Sequence, residues 1–280
     1  MKIAVTGSFG FVGSHLAKRL KALNQDVIDI DIKKGIDITD RQQLESVEHF
    51  NILFHLAAKS YVPDSYKDPR SFFHLNIIGT LNALEMCRLY KARMIFISSY
   101  LYGSPQYLPI DENHPIVAFN PYAQSKLISE QLCQSYNRDF QTPVIIVRPF
   151  NLYGPGQDEN FLIPTIIKQA KSGKIVLNDP APKRDFLYID DFIDLLVKLI
   201  DNQNTDCQIF NAGSSKSFSV REIAEIICRL INKNISIKFT NQKRPNEIAD
   251  TVADTSKAKE MLDWQPRISV EEGLKLLIQN

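Results

Sequence analysis

The chain has 280 residues, with 33 Lys+Arg against 32 Asp+Glu, and a net charge of +1 leaves nothing to draw it to nucleic acid or an anionic membrane. Its 44% hydrophobic and 23% charged residues are globular in composition and exclude intrinsic disorder. Cys87, Cys133, Cys207 and Cys228 form no Cys-x-x-Cys pair or Cys/His cluster, which predicts buried thiols in a reducing cytoplasm and no metal site. The opening run 2–6 reads as a short apolar strand and 12–23 as a helix. Strands follow at 27–32, 52–57, 94–98 and 144–148, with helices at 41–49, at 72–90 and from 121 to 136. One more short strand is expected at 35–39. Strand–helix alternation of this kind implies right-handed crossovers and a parallel sheet covered on both faces. After Arg148 the regularity breaks, and 149–155 reads as a loop leaving the sheet. Helices are expected at 161–172, 190–201, 220–231 and 270–278, with a strand at 208–212. No run approaches the roughly 18 uninterrupted apolar residues of a membrane span, and the opening run is too short for a signal peptide.

The first strand runs into Gly7-Ser8-Phe9-Gly10-Phe11-Val12-Gly13 and then a helix. Gly7 suits a tight turn, Gly10 admits a pyrophosphate close to the backbone, and Gly13 lets the helix lie near the strand. The helix N-terminus offers unpaired amides and a positive dipole end to phosphates. Asp31 closes the second strand, eighteen residues beyond Gly13. An acid there accepts hydrogen bonds from the adenosine ribose hydroxyls and repels a 2′-phosphate. The combination predicts a dinucleotide site that favours NAD, with NADP left open by Lys33 and Lys34. Asp29 competes for the ribose role, and Asp37 is a candidate for the adenine side.

Asn120-Pro121-Tyr122-Ala123-Gln124-Ser125-Lys126 reads as a helix start, with Asn120 as N-cap and Pro121 in the first turn. Tyr122 and Lys126 then share a face. A tyrosine of ordinary pKa about 10 is a poor base at neutral pH, and a neighbouring ammonium is expected to lower it. Ser98 and Ser99 end the strand at 94–98, on the sheet edge where ligands bind in open α/β folds.

With these residues in hand, the sequence resembles the extended short-chain dehydrogenase/reductases that act on nucleotide sugars. The resemblance rests on Thr6–Gly13, His55-Leu56-Ala57-Ala58, Asn76-Ile77-Ile78-Gly79-Thr80, Ser98-Ser99 with Tyr102-Gly103, and Tyr122 with Lys126. It continues through Arg148-Pro149-Phe150-Asn151 with Gly154-Pro155-Gly156, Arg184-Asp185-Phe186, Arg244-Pro245 and Trp264-Gln265-Pro266. It implies an α/β doubly wound Rossmann sheet over 1–150 plus about 184–212. A smaller substrate lobe would comprise 151–183 and 213–280. It implies Tyr122 as acid/base, Lys126 as its electrostatic partner and ribose ligand, and Ser98 as the substrate-hydroxyl contact, four positions before Tyr102. Ile38, Leu56, Ala57, Ala58, Asn76 and Pro149 would border the cofactor. Ser60, Ser99, Asn151, Arg184 and Arg244 would face the nucleotide sugar, the arginines suiting a diphosphate by their planar, always-charged fork. His55 reads as a core histidine and Arg148 as a strand-end structural charge.

Dehydratases of this family carry an acidic pair after the strand-end hydroxyl residue, and here those positions are Ser99 and Tyr100. Elimination of water needs a general acid, so a 4,6-dehydratase is not expected. The expected activity is 4-epimerisation of a nucleotide sugar through a transient 4-keto intermediate. A 4-keto-6-deoxysugar reductase is the alternative, and a non-catalytic NAD-binding regulator the remote one. A cytoplasmic homodimer, paired through the helices at 72–90 and 121–136, completes the expectation.

Overall fold

The computed structural model describes residues 1–231, 235–244 and 247–279. The N-terminal alternation folds as β1 (Lys2–Thr6), α1 (Phe11–Ala22), β2 (Asp26–Ile30), α2 (Arg41–Glu45) and β3 (Ile52–His55). There follow α3 (Val62–Lys67), α4 (Pro69–Phe73), α5 (Gly79–Tyr90), β4 (Arg93–Ile97), α6 (Pro121–Phe140) and β5 (Val144–Pro149). The remainder forms β6 (Asn151–Tyr153), α7 (Leu162–Lys171), β7 (Lys174–Leu177), β8 (Lys183–Tyr188), α8 (Ile189–Lys198) and β9 (Gln208–Ala212). The last elements are β10 (Ser217–Ser219), α9 (Val220–Ile231), β11 (Ser236–Phe239), α10 (Ser256–Leu262) and α11 (Val270–Gln279).

Six strands form the central sheet in the order β2-β1-β3-β4-β5-β9, and the first five pair in parallel. All residues of β3 and β5 are buried, which is why these strands read as continuous apolar runs. Leu53, Met94, Phe96 and Ile146 from the sheet pack with Leu84, Cys87 and Cys133 from α5 and α6. The chain leaves β1 on one side for β2 and on the other for β3. That reversal opens a crevice beyond the carboxyl ends of the strands, the place where open α/β sheets bind ligands.

The chain divides into two compact units. One comprises Met1–Gly103, Pro115–Pro149 and Ile193–Phe210; the other comprises Ser104–His114, Phe150–Phe192 and the chain from Asn211 onward. The second unit carries two small sheets, β10-β8-β6 and β11-β7. Among the described residues, no helix is long and apolar enough to cross a membrane.

Several expectations are corrected. Residues 35–39 are a turn: a short 3-10 helix at Ile32–Lys34 ends on Gly35 at φ +77°, and Asp37 accepts hydrogen bonds from the amide and hydroxyl of Thr39. The expected loop at 149–155 contains β6, paired parallel with β8. The single helix expected at 72–90 is α4, a π-helical turn at His74–Ile78 and α5 in succession. Cys207 and Cys228 are only half-buried.

Candidate active site

The glycine turn is built by close backbone approach. Gly7 has φ +68°, and a Cβ there would lie 2.9 Å from the Ala57 backbone. A Cβ on Gly13 would lie 2.0 Å from the carbonyl of Gly7, so only glycine lets α1 start against β1. Gly10 caps α1 without a side-chain hydrogen bond, and the first turn, which includes Phe11 and Val12, holds no acid. The amides at this N-terminus therefore keep their capacity and dipole for an anion. A dinucleotide pyrophosphate fits that cradle.

Asp31 is buried just beyond β2, its carboxylate accepting Phe9 N at 3.0 Å and Lys33 N at 2.9 Å. Each carboxylate oxygen has a further lone pair for ribose hydroxyls. Asp29, the competing acid, is held by Lys21 at 2.8 Å. Lys33 and Lys34 are exposed, with Lys34 Nζ 5.7 Å from the centre of the Phe9 ring. Ile38 is buried, its carbonyl taking a hydrogen bond from Asn82 at 3.0 Å. The amides of Leu56 and Ala57 are tied to Thr6, Ala58 is half-buried, Ser60 is exposed and Pro149 is buried at the end of β5. Asn76 is buried and ties Lys59 to α6 through Ser125.

Asn120 caps α6 by accepting Ala123 N at 2.8 Å, with Pro121 in the first turn. Tyr122 is half-buried, edge-on to Phe72 with ring centres 6.4 Å apart. Burial pushes its pKa above the ordinary value, and the Ser99 side chain opposes that rise. This corrects the expected lowering. Lys126 is buried one turn on, its ammonium 4.4 Å from the centre of the Phe96 ring. Burial pushes Lys126 down to about 8, with Glu130 among the groups resisting. In the free protein the ammonium therefore gives up its proton before the phenol does.

The two serines differ. Ser98 pairs its amide with Val147 O at 2.8 Å, and its buried Oγ has no hydrogen-bond partner among the described residues. Ser99 is half-buried, and its side chain opposes the rise in the Tyr122 pKa. Tyr100 donates its hydroxyl to Gly103 O at 2.6 Å. Neither Ser99 nor Tyr100 can supply the carboxylic acid that elimination of water would use.

Sequence reasoning gave Glu130 no role. Arg148, on β5, meets it through Nε at 2.9 Å and Nη2 at 2.6 Å, and reaches the Tyr102 hydroxyl at 3.1 Å. The available signal is an acid one helical turn after Lys126, on the face of α6 that buries Ala123, Cys133 and Tyr136.

In the second unit, Asn151 donates to Asp185 O at 3.2 Å. Arg184 is ion-paired with Glu247 and also donates to the carbonyls of Lys183 and Ile248, each at 2.7 Å. Arg244 is exposed, and Pro245 beside it lies outside the described residues. Asp185 ties the unit together by accepting from Ser214 N, Ser214 Oγ, Ser215 N and Ala253 N.

Comparison with known proteins gives a consistent picture. The model of the NAD dependent epimerase/dehydratase family matches residues 3–213. A putative UDP-glucose 4-epimerase of Methanocaldococcus jannaschii is 33% identical over 300 residues, covering 99% of this chain and 97% of that protein. UDP-glucuronic acid decarboxylase 3 of Arabidopsis thaliana is 30% identical over 308 residues, covering 99% and 88%. The UDP-glucose 4-epimerase of Thermotoga maritima, solved with UDP-glucose, has a TM-score of 0.93 at 26% identity, covering 100% of this chain and 98% of that one.

Proposed function

The chain belongs to the NAD dependent epimerase/dehydratase family, and from that premise we propose that it is a nucleotide-sugar 4-epimerase. The observation that carries this reading is Tyr122 and Lys126 one turn apart on α6, with no carboxylic acid at the two positions after Ser98. Such a site moves a proton on and off one sugar oxygen and lacks the acid that would expel a hydroxyl. Gly7, Gly10, Phe11, Val12 and Gly13 would hold the pyrophosphate of NAD, and Asp31 its ribose, with Asp37, Ile38, Leu56, Ala57, Ala58, Asn76 and Pro149 around them. When bound, NAD supplies a hydride acceptor and donor and, oxidised, a positive charge.

Tyr122 takes the proton of the sugar 4-hydroxyl, with Ser98 and Ser99, just after β4, contacting that oxygen. Lys126 contributes positive charge for as long as it stays protonated. With the hydride of carbon 4 taken up by bound NAD, the 4-keto sugar would turn over and regain that hydride on its other face, while Tyr122 returns the proton. Asn151, Arg184 and Arg244 are assigned to the nucleotide diphosphate, and Ser60 to the sugar side. A homodimer formed through α5 and α6 belongs to the same reading.

The test supplies UDP-galactose with NAD, UDP-glucuronic acid with NAD, and a 4-keto-6-deoxysugar nucleotide with NADH or NADPH. Equilibration of UDP-galactose with UDP-glucose and no net NADH is the expected result. Release of carbon dioxide from UDP-glucuronic acid alone, or stoichiometric cofactor oxidation in the third assay alone, would replace the epimerase reading.

A further inference from the structure

His55, the last residue of β3, is buried beside the candidate site and is given no role by the proton transfer described above. The parallel register places Thr6 opposite His55 and His55 opposite Phe96, so the three side chains form one row on one sheet face. Thr6 Oγ1 accepts the amides of Leu56 and Ala57 at 3.0 and 3.1 Å. A hydroxyl has two acceptor positions and one donor, so the Thr6 proton goes to His55 Nδ1, 2.8 Å away. Nδ1 is therefore the acceptor, and the imidazole carries its hydrogen on Nε2. That Nε2–H donates to Thr80 Oγ1 at 3.1 Å, and Thr80 passes its own proton to the carbonyl of Asn76 at 2.6 Å. The two ends of the ring independently select one tautomer.

The chain of bonds continues. Asn76 lies in the π-helical turn His74–Ile78, an irregularity that recurs at functional sites. Its side chain accepts Lys59 N at 2.9 Å and donates to Lys59 O at 3.1 Å and to Ser125 Oγ at 2.8 Å. Ser125 then donates to the carbonyl of Tyr122 at 2.7 Å. A single imidazole thus links the strand end packed on Gly7 to the helical turn carrying Tyr122. A second proton on Nδ1 would face a hydroxyl whose acceptor positions are filled. It would also add charge near Lys126, whose ammonium lies over the Phe96 ring on which His55 stacks, with ring centres 5.9 Å apart. Burial, with Lys126 adding to it, pushes the His55 pKa down to about 3.

We propose that His55 is a positioning residue: its neutral Nε2–H tautomer holds the Ala57 backbone against Gly7 and the first turn of α6 in one fixed spacing. The inference rests on Tyr122 as the proton-transfer group. Nitrogen-15 NMR of the imidazoles in the full chain tests it first. The expected spectrum shows His55 with bare Nδ1, protonated Nε2 and no titration from about pH 5 to about pH 8. Protonated Nδ1, or titration in that range, would overturn the proposal.

His55→Phe keeps the stack on Phe96 and removes both hydrogen bonds. It is expected to weaken NAD binding and lower kcat on UDP-galactose, each by about tenfold, with KM for the sugar nearly unchanged. Thr6→Val should act alike, and the double variant should lose little more than either single one, because both cut the same chain. A variant that melts earlier yet keeps wild-type NAD affinity and kcat would reduce His55 to packing. A wild-type protein inactive on UDP-galactose would count against the epimerase reading, while the tautomer and NAD measurements would still decide the role of His55.

Discussion

Two arginine–glutamate pairs, one in each unit, use the same ions in different surroundings. Arg148 and Glu130 are each 1% exposed and joined by two parallel hydrogen bonds, and Tyr102 takes a further guanidinium nitrogen. Burial works against the guanidinium charge, and Glu130 outweighs it, holding its pKa above the ordinary value. Arg184 and Glu247 are 20% and 22% exposed, and two backbone carbonyls share the guanidinium. Sealed from water, the first pair cannot exchange partners and fixes α6 to β5 behind Lys126. The second is open enough to trade a carboxylate for the diphosphate assigned to it. Solvent access, more than residue type, separates a fixed brace from a guanidinium able to change partners.

The comparison breaks hardest at Glu130. Glu130→Ala leaves a guanidinium buried without its counter-ion and should cost about 3–5 kcal/mol in urea unfolding. A loss below about 1 kcal/mol would put the first pair in the same class as exposed ones. Next in size is Tyr122→Phe, which removes one hydroxyl from a half-buried ring. It should leave the fold intact and lower turnover by about a hundredfold or more. Ser99→Ala should lose more turnover than Ser98→Ala, because the Ser99 side chain opposes the rise in the Tyr122 pKa. The reverse order would return the role to Ser98.

Acid sharpens the picture from another side. His55 has its folded pKa near 3 against an ordinary 6.5, so between those values the unfolded chain binds more protons than the folded one. The stability present above about pH 6.5 should fall by up to about 1.4 kcal/mol per pH unit on the way down. His55→Phe should flatten that slope in pH-dependent melting; an unchanged slope would show that other groups set it. The smallest effect on stability belongs to the open pair. Arg184→Ala should cost under about 1 kcal/mol, yet weaken binding of UDP measured by calorimetry. Unaltered UDP affinity would remove Arg184 from the diphosphate site.

The first unit was legible in the sequence because its pattern is periodic. β1 and β9 have the expected bounds, and the Gly7–Gly13 turn, the Asn120 cap and the strand ends carry local signals. The strands β6, β7, β8, β10 and β11 were not, since they fall outside the strand–helix alternation and belong to small sheets of two or three strands. Side-chain networks escaped as well. Thr6, His55, Thr80 and Ser125 are unremarkable residue types until the register of β1 and β3 and the packing of α5 and α6 set them in line. The Tyr122 pKa rises where a fall is expected, because burial, invisible in the helix pattern, opposes the charge effect.

In the proposed 4-epimerase, a hydride leaves carbon 4 and returns within one turnover. The most direct measurement uses UDP-galactose deuterated at carbon 4, incubated in ordinary water with the protein and NAD. The account predicts UDP-glucose that keeps its deuterium at carbon 4, with no net absorbance of reduced cofactor. Product lacking the label at carbon 4, or reduced cofactor accumulating in step with sugar consumed, would contradict it.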